Sequence, residues 1–93
     1  MAKEKSVTIQ LEFPVELADR TLNEITIRRP TLGDLEDYPV NVTSGLKEER
    51  ALVAYLCDLH PDDLRPLDSE DYGKLQKLLL QFRGIPLSQG YKA

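Results

Sequence analysis

"NEITIRRPTLGDLED", Asn23 to Asp37, changes its hydrophobic period half-way along. Up to Arg29 it alternates, with Ile25 and Ile27 on one side and Glu24, Thr26 and Arg28 on the other, the pattern of a strand with one buried face. After Pro30 the alternation stops. Thr31 with Asp34 three residues later has the form of a helix N-cap and its reciprocal acid, so a short helix is expected there, ending before Pro39. A strand, its end and a helix start thus fall within one stretch, which makes the chain a mixture of strand and helix.

Upstream, "SVTIQLEF", Ser6 to Phe13, alternates in the same way: Val7, Ile9, Leu11 and Phe13 on one side, Thr8, Gln10 and Glu12 on the other. An antiparallel pair is the simplest join. The connection from Pro14 to Leu22 is long for a tight hairpin and has neither Asn-Gly nor Asp-Gly, which leaves its turn type open. Two strands alone are marginal in water, so helices must cover their apolar face. After a linker from Pro39 to Gly45, Leu46 to Leu59 reads as a helix with Leu52, Tyr55, Leu56 and Leu59 along one stripe. In the last helix Asp68 caps, Asp71 takes the third helical position and Leu67 staples onto Tyr72. It continues through Leu75, Leu79 and Phe82 to Gly84, a suitable residue just beyond a helix end. Residues 85–93, with Pro86 and Gly90, read as a flexible C-terminal tail.

The expected fold is α+β: an N-terminal antiparallel β-hairpin packed against about three α-helices, forming a single domain over residues 1–84. Its core should join Ile25 and Ile27 to Leu52, Tyr55, Leu59, Tyr72, Leu75, Leu79 and Phe82.

The 93 residues carry a net charge of −4, and their Lys and Arg are scattered and outnumbered. Counterion release on nucleic acid needs clustered bases, so neither nucleic acid nor an anionic membrane is an expected partner. No apolar run approaches the roughly 18 residues that span a bilayer, and no secretory signal is evident at the start. The single cysteine, Cys57, excludes an internal disulfide framework and suits a reducing cytoplasm.

"LHPDD", Leu59 to Asp63, contains the His-Pro-Asp triplet of J-domain co-chaperones of Hsp70. In a J domain the helix before the triplet is markedly basic, whereas "EERALVAYLCDL" carries three acids and one base. Pro61 in a first helical turn, with Asp62 and Asp63 at the positive end of its dipole, accounts for the same residues. Cys57 and His60 could share a helix face as metal ligands, but structural zinc needs four and a second Cys/His pair is lacking. The acids from Asp58 to Asp71 lack the alternating ligands and central glycine of a calcium loop. No Gly-rich phosphate loop is present. A binding protein without catalytic residues, metal or cofactor is expected, rather than an enzyme.

Some apolar positions remain once the stripes are assigned. Leu46, Val53 and Cys57 form a second line on the middle helix, and Leu80 lies about 120° from the centre of the last helix's stripe. Either these helices are buried on two sides, or Leu46, Val53, Cys57 and Leu80 form a surface that binds a partner.

The order of these elements resembles the small tail assembly chaperones of Mu-like and P2-like contractile-tailed phages. The likeness covers Thr21 to Gly84 and is carried by Ile27, Arg28, Pro30, Thr31, Gly33 and Asp34 at the strand-to-helix junction. It continues in Leu64, Leu67, Asp68, Asp71, Tyr72 and Phe82 around the last helix. The resemblance implies a non-enzymatic protein of the host bacterial cytoplasm that binds the tape measure protein and keeps it soluble until the tail tube polymerises. It implies absence from the mature virion, with the tail tube protein and further copies of the chain as candidate additional partners. The alternatives are a structural or adaptor subunit retained in an assembled phage particle and, as a minor reading, a J-like Hsp70 co-chaperone.

Overall fold

In the computed structural model, β1 (Ser6–Glu16) and β2 (Thr21–Arg28) pair antiparallel as the first two elements of an α+β fold. Three α-helices follow: α1 (Leu32–Asp37), α2 (Leu46–Leu56) and α3 (Ser69–Phe82), with a 3-10 turn at Pro61–Leu64 before the last. The structure describes residues 5–40 and 44–84. The tail expected at 85–93 and residues 41–43 of the expected linker lie outside them.

The hairpin has two registers. Ser6 to Gln10 pair in order with Arg28 to Glu24, then Val15 pairs with Leu22 and Glu16 with Thr21. Four residues, Leu11 to Pro14, therefore stand opposite Asn23 alone, which is a large β-bulge. Pro14 has no N–H for a ladder and belongs at such an irregularity. The bulge also breaks the side-chain alternation. Leu11 and Val15 are buried, whereas Phe13, expected on the inner face, is 59% exposed. On the outer face Thr8 and Thr26 share a 2.6 Å hydrogen bond, and Gln10 Nε2 donates to Glu24 Oε1 at 2.9 Å.

Bulging frees backbone N–H groups that must find acceptors. Those of Glu12 and Phe13 donate to the two carboxylate oxygens of Asp71, at 3.0 and 3.1 Å. Asp71 is completely buried at the third position of α3, so helix and sheet meet through its side chain. Lys74, one turn on, places its ammonium 3.1 Å from Asp71 and donates to the Gln10 carbonyl at 3.1 Å. The expected cap stands, since Asp68 Oδ2 accepts from the Glu70 N–H at 2.9 Å. Asp71, however, serves the sheet.

Successive arginines at the end of β2 fix two helices. Arg28 donates to both carboxylate oxygens of Asp34, at 2.6 and 3.1 Å. Asp34 completes a capping box with Thr31, whose Oγ1 accepts from the Asp34 N–H while Asp34 Oδ2 accepts from the Thr31 N–H. Arg29 donates to the Phe82 carbonyl at 3.0 Å and lies over the Phe82 ring, so it caps the C-terminal end of α3.

The middle helix is shorter than its apolar stripe. It stops at Leu56, and Asp58 adopts a left-handed conformation with φ 58°. The Asp58 N–H donates to Tyr55 O and the Leu59 N–H to Ala54 O, the two bonds of a Schellman motif. Leu59 reaches the core by this reversal and not as a helical residue. The His-Pro-Asp triplet comes next and caps the 3-10 turn: His60 Nδ1 accepts from the Asp62 N–H, and the His60 N–H donates to Asp63 Oδ2. Both residues of the His60–Asp62 pair are exposed.

Of the nine expected core residues, Ile25, Ile27, Leu52, Leu75, Leu79 and Phe82 are buried, and Leu59 and Tyr72 pack against them partly buried. Tyr55 is a correction. It is 42% exposed and stacks on Tyr38 at 4.7 Å between ring centroids, with the Arg28 guanidinium over its ring. The choice left open for the second apolar line is also resolved. Val53 is fully buried, as is Ala54, because α2 packs against both β2 and the 3-10 turn. Leu80 is 5% exposed, so neither Val53 nor Leu80 offers apolar surface to water.

Four outcomes follow for stability. Asp71→Asn replaces one acceptor in a fully buried side chain by a donor facing a backbone N–H, and should lower the melting temperature by roughly 5–15 °C. The N–H groups of Glu12 and Phe13 and the Lys74 ammonium hold the Asp71 carboxyl below its ordinary range, against the opposing effect of burial. Arg28 and then Thr31 do the same for Asp34. Because both folded values are depressed, this stabilisation is complete above the unfolded value near pH ~4 and is lost as pH falls through the folded values. Melting temperature should be nearly level at neutral pH and drop in acid, with a shallower drop in Asp71→Asn; identical acid profiles would remove Asp71 from this role. Asp58→Gly relieves a left-handed side chain and removes an acid from a helix C-terminus, so denaturant titration should show a gain of about 0.5–1 kcal/mol. Leu80→Asp should melt about 10 °C or more below the parent chain; an unchanged melt would place the side chain in water.

Candidate functional site

Reversal of the chain at Asp58 and its second turn at His60 bring the 3-10 turn and the start of α3 alongside the first half of α2. A groove of about 500 Å³ lies between them. Leu46, Leu64, Leu67 and Tyr72 give it apolar walls. Leu64 and Leu67 are buried members of the core, so these walls are continuous with the interior and do not depend on loops. Leu46, at the first turn of α2, is 68% exposed and forms part of the rim.

Three cations also line the groove: Lys47, Arg50 and Arg65. Lys47 and Arg50 are one turn apart on α2, and Arg65 follows the 3-10 turn. Among the described residues none of the three has an ion-pair partner, and Arg50 Nε is buried with no hydrogen-bond acceptor.

A polar network behind the groove sets the position of Tyr72. Its hydroxyl donates to Oε1 of the buried Glu49 at 2.9 Å, and Gln76 Nε2 donates to the same oxygen at 2.8 Å. Burial, reinforced by the Glu49 charge, pushes the Tyr72 phenol above its ordinary pKa, so it remains a protonated donor. Here α2 and α3 are tied by side-chain hydrogen bonds.

The four positions expected to bind a partner are not brought together. Leu46 lines the groove; Val53, Cys57 and Leu80 do not. Cys57 is partly buried, and burial pushes its thiol up to about 12, which keeps it in the unreactive protonated form. Lys47, Arg50 and Arg65 are not grouped by the sequence, because two helices separated by a turn must fold before they converge. Their only local signal is the spacing of Lys47 and Arg50. Among the described residues no group of three His, Cys, Asp or Glu side chains could hold a metal ion.

A groove with leucine walls, unpaired cations and a fixed tyrosine is suited to binding a segment of another protein. The family model described as "Phage tail assembly chaperone proteins, E, or 41 or 14" matches residues 8–84, which takes in all three helices and nearly the whole hairpin. Neither a curated protein nor a solved structure matches. By this match over most of its length, the chain belongs to the family of phage tail assembly chaperone proteins.

Proposed function

We propose that this chain binds the tape measure protein of its phage and keeps it soluble until the tail tube polymerises around it. The reading rests on the family match over residues 8–84. It assigns no catalysis to the chain. It places the protein in the cytoplasm of the host bacterium and outside the finished virion.

Physical features agree with such a role. A long helical protein that is apolar when bare needs a partner that covers its apolar face yet leaves when the tube arrives. Leu46 and the groove beside it supply a small apolar surface on an acidic body of net charge −4, which favours solubility of the complex. One groove of this size makes a weak contact, and many copies along one client make a durable one. Weak individual contacts allow displacement by the tube. Among the described residues no helix is long and apolar enough to cross a membrane.

Co-expression with the tape measure protein, followed by affinity capture through this chain, tests the reading. Expected are a soluble tape measure that co-purifies with the chain and an insoluble one when the chain is omitted. A tape measure that stays soluble alone, or that fails to co-purify, would overturn it. Mass spectrometry finding the chain in mature particles would instead make it a retained structural or adaptor subunit.

A further inference from the structure

We infer that the groove between α2 and α3 takes a helical segment whose apolar stripe is flanked by carboxylates, an inference that rests on the client-binding reading above. Acids outnumber bases in the chain, 16 to 12, yet the described lining of the groove contains none, while Lys47, Arg50 and Arg65 all border it. The bases that organise the fold already have partners: Arg28 has Asp34, Lys74 has Asp71, and Arg29 has the Phe82 carbonyl. Among the described residues those of the groove have no ion-pair partner, and Arg50 Nε is a buried donor without an acceptor. Carboxylates on a docked segment would give the groove's cations the charge-assisted partners they lack.

Other occupants fit less well. A purely apolar helix would desolvate the cations without compensating them, which is costly. A basic helix would meet like charge. Nucleic acid would be attracted by three cations but repelled by a body of net charge −4. An acidic amphipathic helix places leucine-type side chains against Leu46, Leu64, Leu67 and Tyr72, and its flanking acids against the bases. Selectivity then lies in charge, and apolar contact adds adhesion.

Two labelled helical peptides with one shared leucine pattern, one flanked by Glu and the other by Lys, would be titrated against the full chain by fluorescence anisotropy. The Glu peptide should bind and the Lys peptide should not, with affinity falling about tenfold or more from low to high salt. Lys47 and Arg65 are exposed, so the double variant Lys47→Glu, Arg65→Glu should melt like the parent while losing the Glu peptide and gaining the Lys peptide. Equal binding of both peptides, binding of neither, or salt-insensitive binding would overturn the inference. So would a dimer in sedimentation that the double variant abolishes, since a second copy would then be the occupant. If the variant loses the Glu peptide but still captures the tape measure, the groove is not the client site and the proposed function survives. If the parent chain binds the Glu peptide but captures no tape measure, the proposed function fails and the groove's chemistry stands.

Discussion

Asp71 carries a charge in a position that water does not reach, and two backbone N–H groups from the bulge of β1 converge on it. Removing Asp71 would leave those donors without their acceptors, and removing the bulge would leave the buried carboxylate with Lys74 alone. Either change costs far more than a surface contact, so the two features hold each other in place. This couples residues 58 and 59 positions apart in sequence. It also aligns α3 with β1, from which Leu75, Leu79 and Phe82 are carried onto the inner face of the sheet.

The other end of the sheet is held by charge as well. Arg28, the last residue of β2, and Arg29, just beyond it, hold different helices. Arg28 reaches the N-terminal box of α1 and Arg29 the Phe82 carbonyl at the end of α3. A two-stranded hairpin is marginal alone and depends on the helices packed against it. Oriented hydrogen bonds at the ends of α1 and α3 add to that packing.

Fold and site share only part of their residues. Arg28, Thr31, Asp34, Asp68, Asp71 and Phe82, which carry the family likeness, are occupied with caps, clamps and the core. The groove's cations are not among them. Leu64, Leu67 and Tyr72 belong to both sets, because they form the interior wall against which the groove is built. Lys47 and Arg65 are exposed, so much of the groove's charge is carried by side chains outside the core.

Local features were legible in the sequence wherever neighbouring residues decide the outcome. The Thr31–Asp34 box, the Asp68 cap and the role of Gly84 (φ 71°) follow from backbone groups within a few positions. Alternation gave Ile25 and Ile27 their inward direction, and the His-Pro-Asp triplet could be read as a cap from its own residues. Tertiary structure decided what distant residues share. The three-residue register shift turned Phe13 outward, the contacts of α2 on two sides buried Val53, and the Schellman reversal replaced the last turn of its helix. Convergence of Lys47, Arg50 and Arg65 likewise needed the reversal to be made first. A periodicity states which side chains share a face, but the number of faces that become buried depends on what packs against them.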